Sequence, residues 1–295
     1  MGWLNALPGA IAQGIIWGIM AIGVYITYKV LDIADLTVDG SICTGAAVCT
    51  MLVISGVNVW LAMLAALVAG MAAGLLTGVF HTFMGIPAIL AGILTQLILW
   101  SVNLKILGKA NQALPARNFY VLVTQLKKTQ TLLILAVVSI VLIAVLYWFF
   151  GTELGSSIRS TGCNISMSRA QGINTDFNKI LGLMLSNGIV ALAGALLAQY
   201  QGSADINMGR GAIVIGLAAV IIGESLLGKV FRNFGLRMLS VSLGAIVYYL
   251  VLQVVLQLGL NTNDLKLLSA AIVAVFLAIP HLKGKLTHKG GTVHA

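Results

Sequence analysis

Residues 18–35 read GIMAIGVYITYKVLDIAD, and residues 188–205 read GIVALAGALLAQYQGSAD. An offset of 170 positions lays one over the other without a gap. Gly18, Ile19, Ala21, Ala34 and Asp35 recur as Gly188, Ile189, Ala191, Ala204 and Asp205, while Leu36 becomes Ile206 and Thr37 becomes Asn207. Small apolar residues match easily by chance. An unbroken register that ends in a matched Ala-Asp favours a true repeat. In each copy an apolar run stops at a polar, Gly-containing stretch with an aspartate at its heart.

The rest of the chain says what kind of run this is. Of its 295 residues, 59% are hydrophobic and 8% charged. A soluble domain carries roughly a quarter charged residues. Such an apolar excess belongs in a bilayer, where one helical span takes about 20 apolar residues. The sequence predicts an all-α polytopic membrane protein with about nine spans. They are Ala6–Tyr28, Ser41–Ser55, Val59–Phe83, Pro87–Leu107, Thr131–Phe150, Ile180–Tyr200, Gly211–Leu227, Met238–Leu258 and Leu265–Ile279. The second and the seventh are short, and each follows one of the two polar breaks. Non-helical backbone at membrane depth is tolerated only where protein or a water-filled cavity satisfies it. No basic segment leads into a short apolar run and a small-residue cleavage site, so the chain is expected to be mature from Met1.

Thirty-three glycines suit close helix packing, as along Gly70, Gly74 and Gly78. The three cysteines, Cys43, Cys49 and Cys163, have neither CxxC pairing nor histidines at zinc spacing, and are expected to be small buried hydrophobes.

The net charge is +9, and the basic residues sit in loops and the tail, which sets topology and does not suggest nucleic acid. Arg159, Arg169 and Lys179, then Lys229, Arg232 and Arg237, then Lys283, Lys285 and Lys289 fall on one side if the spans alternate. That side is read as cytoplasmic, with the N-terminus outside. One basic loop, with Lys109, Arg117, Lys127 and Lys128, then lies outside against the rule. The chain divides into a repeat half at 6–107, a linking span at 131–150, a polar segment at 152–179, a second half at 180–279 and a basic tail at 280–295. The two halves would have opposite orientation. Inverted repeats with interrupted helices at their interface are a common transporter plan. Asp35 and Asp205 therefore point to the pathway or its frame. Asp32 and Asp39 align with Gly202 and Gly209 and have no counterpart; Lys29 is near enough to pair with either.

The segment at 152–179 contains a capped helix. Asn164 is a good N-cap and Gly172 a good stop. Between them Ile165–Gln171 makes about two turns, roughly 10 Å. It is expected to present Ile165, Met167, Ser168 and Arg169 beneath the membrane.

These residues resemble a known family, the permease subunits of ABC importers, in the branch with the ribose and branched-chain amino-acid permeases. The resemblance rests on Gly162-x-Asn164, Gly172-Ile173-Asn174, Lys179 and the following GLMLSNGIVALAGALLAQYQG, on DLTVDGS, and on GLAAVIIGESLLG at Gly216–Gly228. It covers about Ile15 to Pro280. It departs from the family at Ser166-Met167, where Ala-Ala is frequent, and at Gly223-Glu224, where Gly-Gly is frequent. The resemblance implies a coupling helix that docks on an ATP-binding subunit, with Asn164, Ile165, Met167, Ser168, Arg169, Gly172 and Asn174 in its contacts. It implies a homodimer in the bacterial cytoplasmic membrane, a pair of cytoplasmic ATPase subunits and an extracytoplasmic substrate-binding protein. Asp205, Asn207 and Arg210 would lie near the external mouth, and Glu224 nearer the cytoplasmic gate. DLTVDGS with VIIGES is most similar to a subgroup associated in part with amino-acid uptake, aromatic amino acids included.

No G-x-x-x-x-G-K-[ST], HExxH or G-x-S-x-G occurs. The chain is therefore expected to be no enzyme and to hold no cofactor, ATP and magnesium belonging to the partner. His81 is read as interfacial, and His281, His288 and His294 as part of a solvated tail that meets lipid headgroups. An ion-coupled secondary transporter is the alternative. The membrane carboxylates favour it, and the capped cytoplasmic helix speaks against it.

Overall fold

The structure, a computed structural model, describes residues 2–115, 119–228, 231 and 233–257, with positions 267, 270, 271, 273 and 274 beyond them. The expected ninth span at Leu265–Ile279 falls mostly outside the described residues, as do Arg117, Lys229, Arg232 and the whole tail. The chain is an all-α polytopic membrane protein in architecture. Among the described residues six helices are long and apolar enough to cross a bilayer.

Helix α1 (Gly2–Tyr25) runs into a π-helical turn (Ile26–Val30), and after a break comes α2 (Val38–Ile54). Helices α3 (Val59–Thr82) and α4 (Ala88–Leu107) follow, then a short strand β1 (Asn111–Ala113) and α5 (Lys128–Gly151). The polar segment folds as α6 (Glu153–Cys163) and α7 (Ile165–Ala170). Last come α8 (Thr175–Gln201), β2 (Ser203–Asp205), α9 (Ala212–Leu227) and α10 (Phe234–Gln257). The two spans read as short are α2 and α9, at 17 and 16 residues.

Helices α1 and α8 form the buried centre, while α4 and α5 lie at the periphery. Side-chain bonds give the directions. Tyr200 Oη donates to the Gly9 carbonyl at 3.4 Å and Ser186 Oγ to the Gly23 carbonyl at 2.7 Å, so α1 and α8 run antiparallel. Ser41 meets Asn187 and Cys49 meets Gln199, so α2 runs with α8. The Gly70, Gly74 and Gly78 face of α3 packs antiparallel on Asn187, Leu183 and Ile180 of α8, with no room for a Cβ at Gly70 or Gly74. On α2 and α8, Gly45 sits on the Ala191 carbonyl and Gly194 on the Ile42 carbonyl. In a bilayer, where lipid is as apolar as leucine, such close backbone approach is what holds helices together. Helix α9 follows the direction of α1, with Gly216 against Met20 and Val24 and Glu224 near Lys29. Helix α10 opposes α1, with Gly14 against Ile246 and Gly18 against Ser242.

The molecule thus has two ends. Helix α7 marks one, with Val30 against Gly162 and Phe234 against Tyr25. Arg159 lies over the Phe234 ring at 5.0 Å, so two of the basic loops share this end. The strands mark the other, some 40 Å away along the 27 residues of α8. There β1 pairs antiparallel with β2, Asn111 opposite Asp205. The exposed Lys109, Lys127 and Lys128 belong to this strand end, opposite α7.

Four details depart from expectation. Cys163, the last residue of α6, is exposed, while Cys43 and Cys49 are buried as expected. The strands escape a reading by period because three residues carry no alternation. Helix α8 begins at Thr175 and not at Ile180, since Asn174 Oδ1 accepts the Phe177 N–H at 3.1 Å and caps it ahead of the apolar run. The stretch before Asn164 is helical too. Thr152 caps α6, which buries Gly155, Ile158 and Thr161 and is held to α8 by Asn178, whose Nδ2 donates to Ser157 Oγ at 2.6 Å and Thr161 Oγ1 at 2.9 Å.

Candidate translocation site

Each break is built around its aspartate. Asp35 Oδ1 accepts the Thr37 N–H at 2.9 Å, and Asp205 Oδ1 accepts the Asn207 N–H at 2.7 Å. These are two copies of one Asx turn, at positions matched by the 170 offset. The side chain takes over a backbone donor that helix would otherwise satisfy.

The second oxygens differ. Asp35, 2% exposed, receives Asn187 Nδ2 at 2.7 Å. Asn187 in turn accepts Ser41 Oγ at 2.6 Å and donates to the Leu183 carbonyl at 3.0 Å. Beside it Thr37, Thr77 and Thr95 join hydroxyl to hydroxyl at 2.7 and 2.9 Å. A buried polar belt therefore ties the start of α2 to α3, α4 and α8. Asp205 is half-buried and receives Asn111 Nδ2 at 3.2 Å from β1.

Asp39 has a role that the repeat alignment hides. Its Oδ2 accepts the Gly211 N–H and its Oδ1 the Ile213 N–H, both at 2.9 Å. Helix α9 starts after Gly211, which has φ +85° and no side chain with which to cap. Asp39, in the first turn of α2, supplies that cap from another helix. The N-terminal ends of α2 and α9 therefore meet, and one carboxylate faces both dipoles. Gly209 fits against the Asp39 carbonyl and donates to Cys43 Sγ at 3.1 Å. Asp32 is exposed at φ +55°, a left-handed conformation that aspartate tolerates.

Lys29 pairs with neither Asp32 nor Asp39. It reaches Glu224 Oε2 at 3.1 Å, toward the α7 end. Asn207 and Arg210 are exposed in the second break. Arg210 and Asp39 share the wall of a cavity of about 330 Å³. The candidate pathway residues are thus spread along the molecule. Asp39 and Arg210 come together, Asp205 and Asn207 flank them, Asp35 lies in the polar belt, and Glu224 is at the far end.

At the α7 end, Asn164 Oδ1 accepts the Met167 N–H at 2.9 Å, and Gly172 takes φ +80° beyond the helix. Ile165 and Met167 are exposed at 41% and 56%. Ser168 is not presented. It is 2% exposed and turns toward Ser160 on α6, because its position in two turns faces the protein. Arg169 is anchored locally, by Nε to Thr175 Oγ1 at 2.9 Å and by an exposed pair with Asp176 at 3.4 Å. Asn174 is spent on capping α8.

Asn187, Ser41, Thr77 and Thr95 went unremarked in the sequence. Asn187 had a signal, since an amide inside the apolar run MLSNGIV is costly unless bonded. The hydroxyls had none, being common and cheap in membrane helices. Among the described residues no cluster of three or more His, Cys, Asp or Glu could hold a metal.

A family model described as Branched-chain amino acid transport system / permease component matches residues 7–279. A tyrosine transport system permease protein of Clostridioides difficile is 38% identical over 279 residues, 95% of this chain and 92% of that protein. An uncharacterised protein of Rickettsia prowazekii is 32% identical over 277 residues, 93% of this chain and 98% of that protein. The autoinducer 2 import system permease protein LsrC of Escherichia coli is 31% identical over 191 residues, 60% of this chain and 52% of that protein. No solved structure matches. The chain belongs to the family of branched-chain amino acid transport permease components, and is a multi-pass protein of the cytoplasmic membrane.

Proposed function

We propose that this permease is the membrane subunit of an ATP-binding-cassette importer for an amino acid, an aromatic one by analogy with the tyrosine transport relative. It works as a homodimer, with two ATPase subunits on the α7 side and a substrate-binding protein on the strand side. ATP hydrolysis belongs to the partner. The side is assigned by α7, which the resemblance makes the coupling helix. Charge does not decide it among the described residues, because Arg159, Arg169, Lys179 and Arg237 at the α7 end are matched by Lys105, Lys109, Lys127 and Lys128 at the strand end.

The observation that carries the coupling role is α7 itself. Two capped turns hold the apolar Ile165 and Met167 in the open, beyond the ends of the crossing helices. A membrane carrier working alone has no use for such a knob, whereas a groove on a motor subunit does. Behind it, α6 is bonded to α8 through Asn178, so a push on α7 reaches the central helix as a rigid-body tilt. Alternating access follows if the two halves are inverted repeats. Supporting that reading, α8 opposes α1, α9 opposes α2 and α10 opposes α3, with both half-helices starting at the same place in the interior.

The ion-coupled reading leaned on membrane carboxylates. Asp35, Asp39, Asp205 and Glu224 each have a bonded partner here, which weakens that lean.

The test is co-purification with the cognate ATPase, followed by uptake and hydrolysis in proteoliposomes. Met167→Glu is expected to leave the purified chain folded, yet to lower ATPase association and solute uptake about tenfold, the scale of a lost apolar anchor. Normal uptake by Met167→Glu, or uptake driven by an ion gradient with no ATPase present, would end the reading.

A further inference from the structure

The cavity between α2, α4 and the second break holds a polar group with nothing to do. Asn103 is 1% exposed and lines it, and neither its Nδ2 nor its Oδ1 has a hydrogen-bond partner among the described residues. Buried amides are almost always bonded, and one left unpaired on both atoms asks for an occupant that donates and accepts. Seven residues earlier on the same face of α4, Gln96 lines the cavity too, with Trp100 between them. The facing wall brings opposite charges. Arg210 makes no ion pair among the described residues. Asp39 turns its two oxygens to the backbone N–H groups of Gly211, Ala212 and Ile213 and keeps acceptor capacity beyond that cap. Ile206 adds an apolar surface. At about 330 Å³ the volume is at the small end of ligand pockets.

We propose that this cavity is a binding station for a zwitterionic α-amino acid with a large apolar or aromatic side chain. Arg210 and the Asn103 Nδ2 take the carboxylate, Asp39 and the Asn103 Oδ1 take the ammonium group, and Trp100 and Ile206 flank the side chain. A simple anion would meet Asp39, and a simple cation would meet Arg210. A neutral sugar would leave both charges without a counterpart. A zwitterion satisfies the two charges and both ends of the amide at once. This station rests on the permease reading above, and it adds the residues that would hold the ligand.

The experiment uses the full chain alone in lipid nanodiscs, with equilibrium binding of L-tyrosine. Competitors are tyramine, which lacks the carboxylate, hydroxyphenylpropionate, which lacks the ammonium group, and glycine, which lacks the side chain. Saturable L-tyrosine binding is expected, with each competitor at least about tenfold weaker, the scale of one lost charge-assisted contact. Asn103→Leu should weaken binding about tenfold while the ligand-free protein melts no lower than the parent, because the apolar isostere removes an unpaired amide. Arg210→Gln, at an exposed position, should erase the preference for L-tyrosine over tyramine. No saturable binding, binding unchanged in both variants, or an Asn103→Leu protein that melts several degrees lower would each overturn the station. Because no ATPase is present, failure here leaves the coupling result untouched, and failure to couple leaves this binding result standing.

Discussion

The two breaks share one turn and differ in what surrounds it. At the first, Asp35 is enclosed, and both its oxygens are bonded within a belt that joins four helices. At the second, Asp205 is half-buried, and its outer oxygen meets Asn111 across a two-stranded sheet at the strand end. The same local chemistry thus serves as a structural clasp in one place and as a surface turn in the other. Burial decides which, because an interior carboxylate has no water to replace a lost partner. Two positions 170 residues apart share the turn and differ in what encloses it.

Substitutions at four aspartates sharpen this contrast. The largest effect is expected at the clasp. Asp35→Leu strands the Asn187 amide and the Thr37 N–H, and should cost about 3 kcal/mol of stability. Unfolding of the full chain in mixed micelles would measure it. A double-mutant cycle with Asn187→Leu should return a coupling of about 1 kcal/mol or more. Additive single effects would show that the two residues do not act together. Asp39→Ala comes next. It removes a cap that α9 cannot supply itself, at about 1 kcal/mol. Asp39→Asn, which can still accept hydrogen bonds, should recover part of that loss, and a loss equal to that of alanine would deny the capping role. The smallest effects are expected on the outside. Asp205→Ala should cost less than about 1 kcal/mol, since water reaches its partners. Asp32→Gly should leave the melting temperature unchanged or raise it, because the left-handed backbone there suits glycine better. If Asp205→Ala proved as damaging as Asp35→Leu, the contrast between the breaks would be wrong.

Much of the architecture was legible in the residues. Eight of the expected spans appear as helices, and the two judged short are short. The cap at Asn164 and the stop at Gly172 are where local rules put them. The stop is also the reason that proline is unsuited there, since a φ of +80° excludes its ring. Less of the site was legible. Asp39 aligns with a glycine at the 170 offset and so draws no notice in the sequence, yet it is the residue that joins the N-terminal ends of α2 and α9. Lys29 reaches a glutamate 195 positions away instead of the aspartates beside it. The amide of Asn103 reads as one polar residue among apolar ones until the helices close around it.

What the amino-acid sequence determined by itself is everything governed by neighbours a few positions apart. Apolar composition decided the solvent, run length decided the spans, and an aspartate two residues ahead of a free N–H decided each break. Those interactions are local, so spacing records them. Tertiary structure decided which carboxylate is buried, which helix end Asp39 caps, which strand pairs with β2, and that Asn103 faces a cavity with its amide unspent. These depend on close packing of segments far apart in the chain, through glycines that let backbones touch. No periodicity along one segment can say what another segment will bring against it.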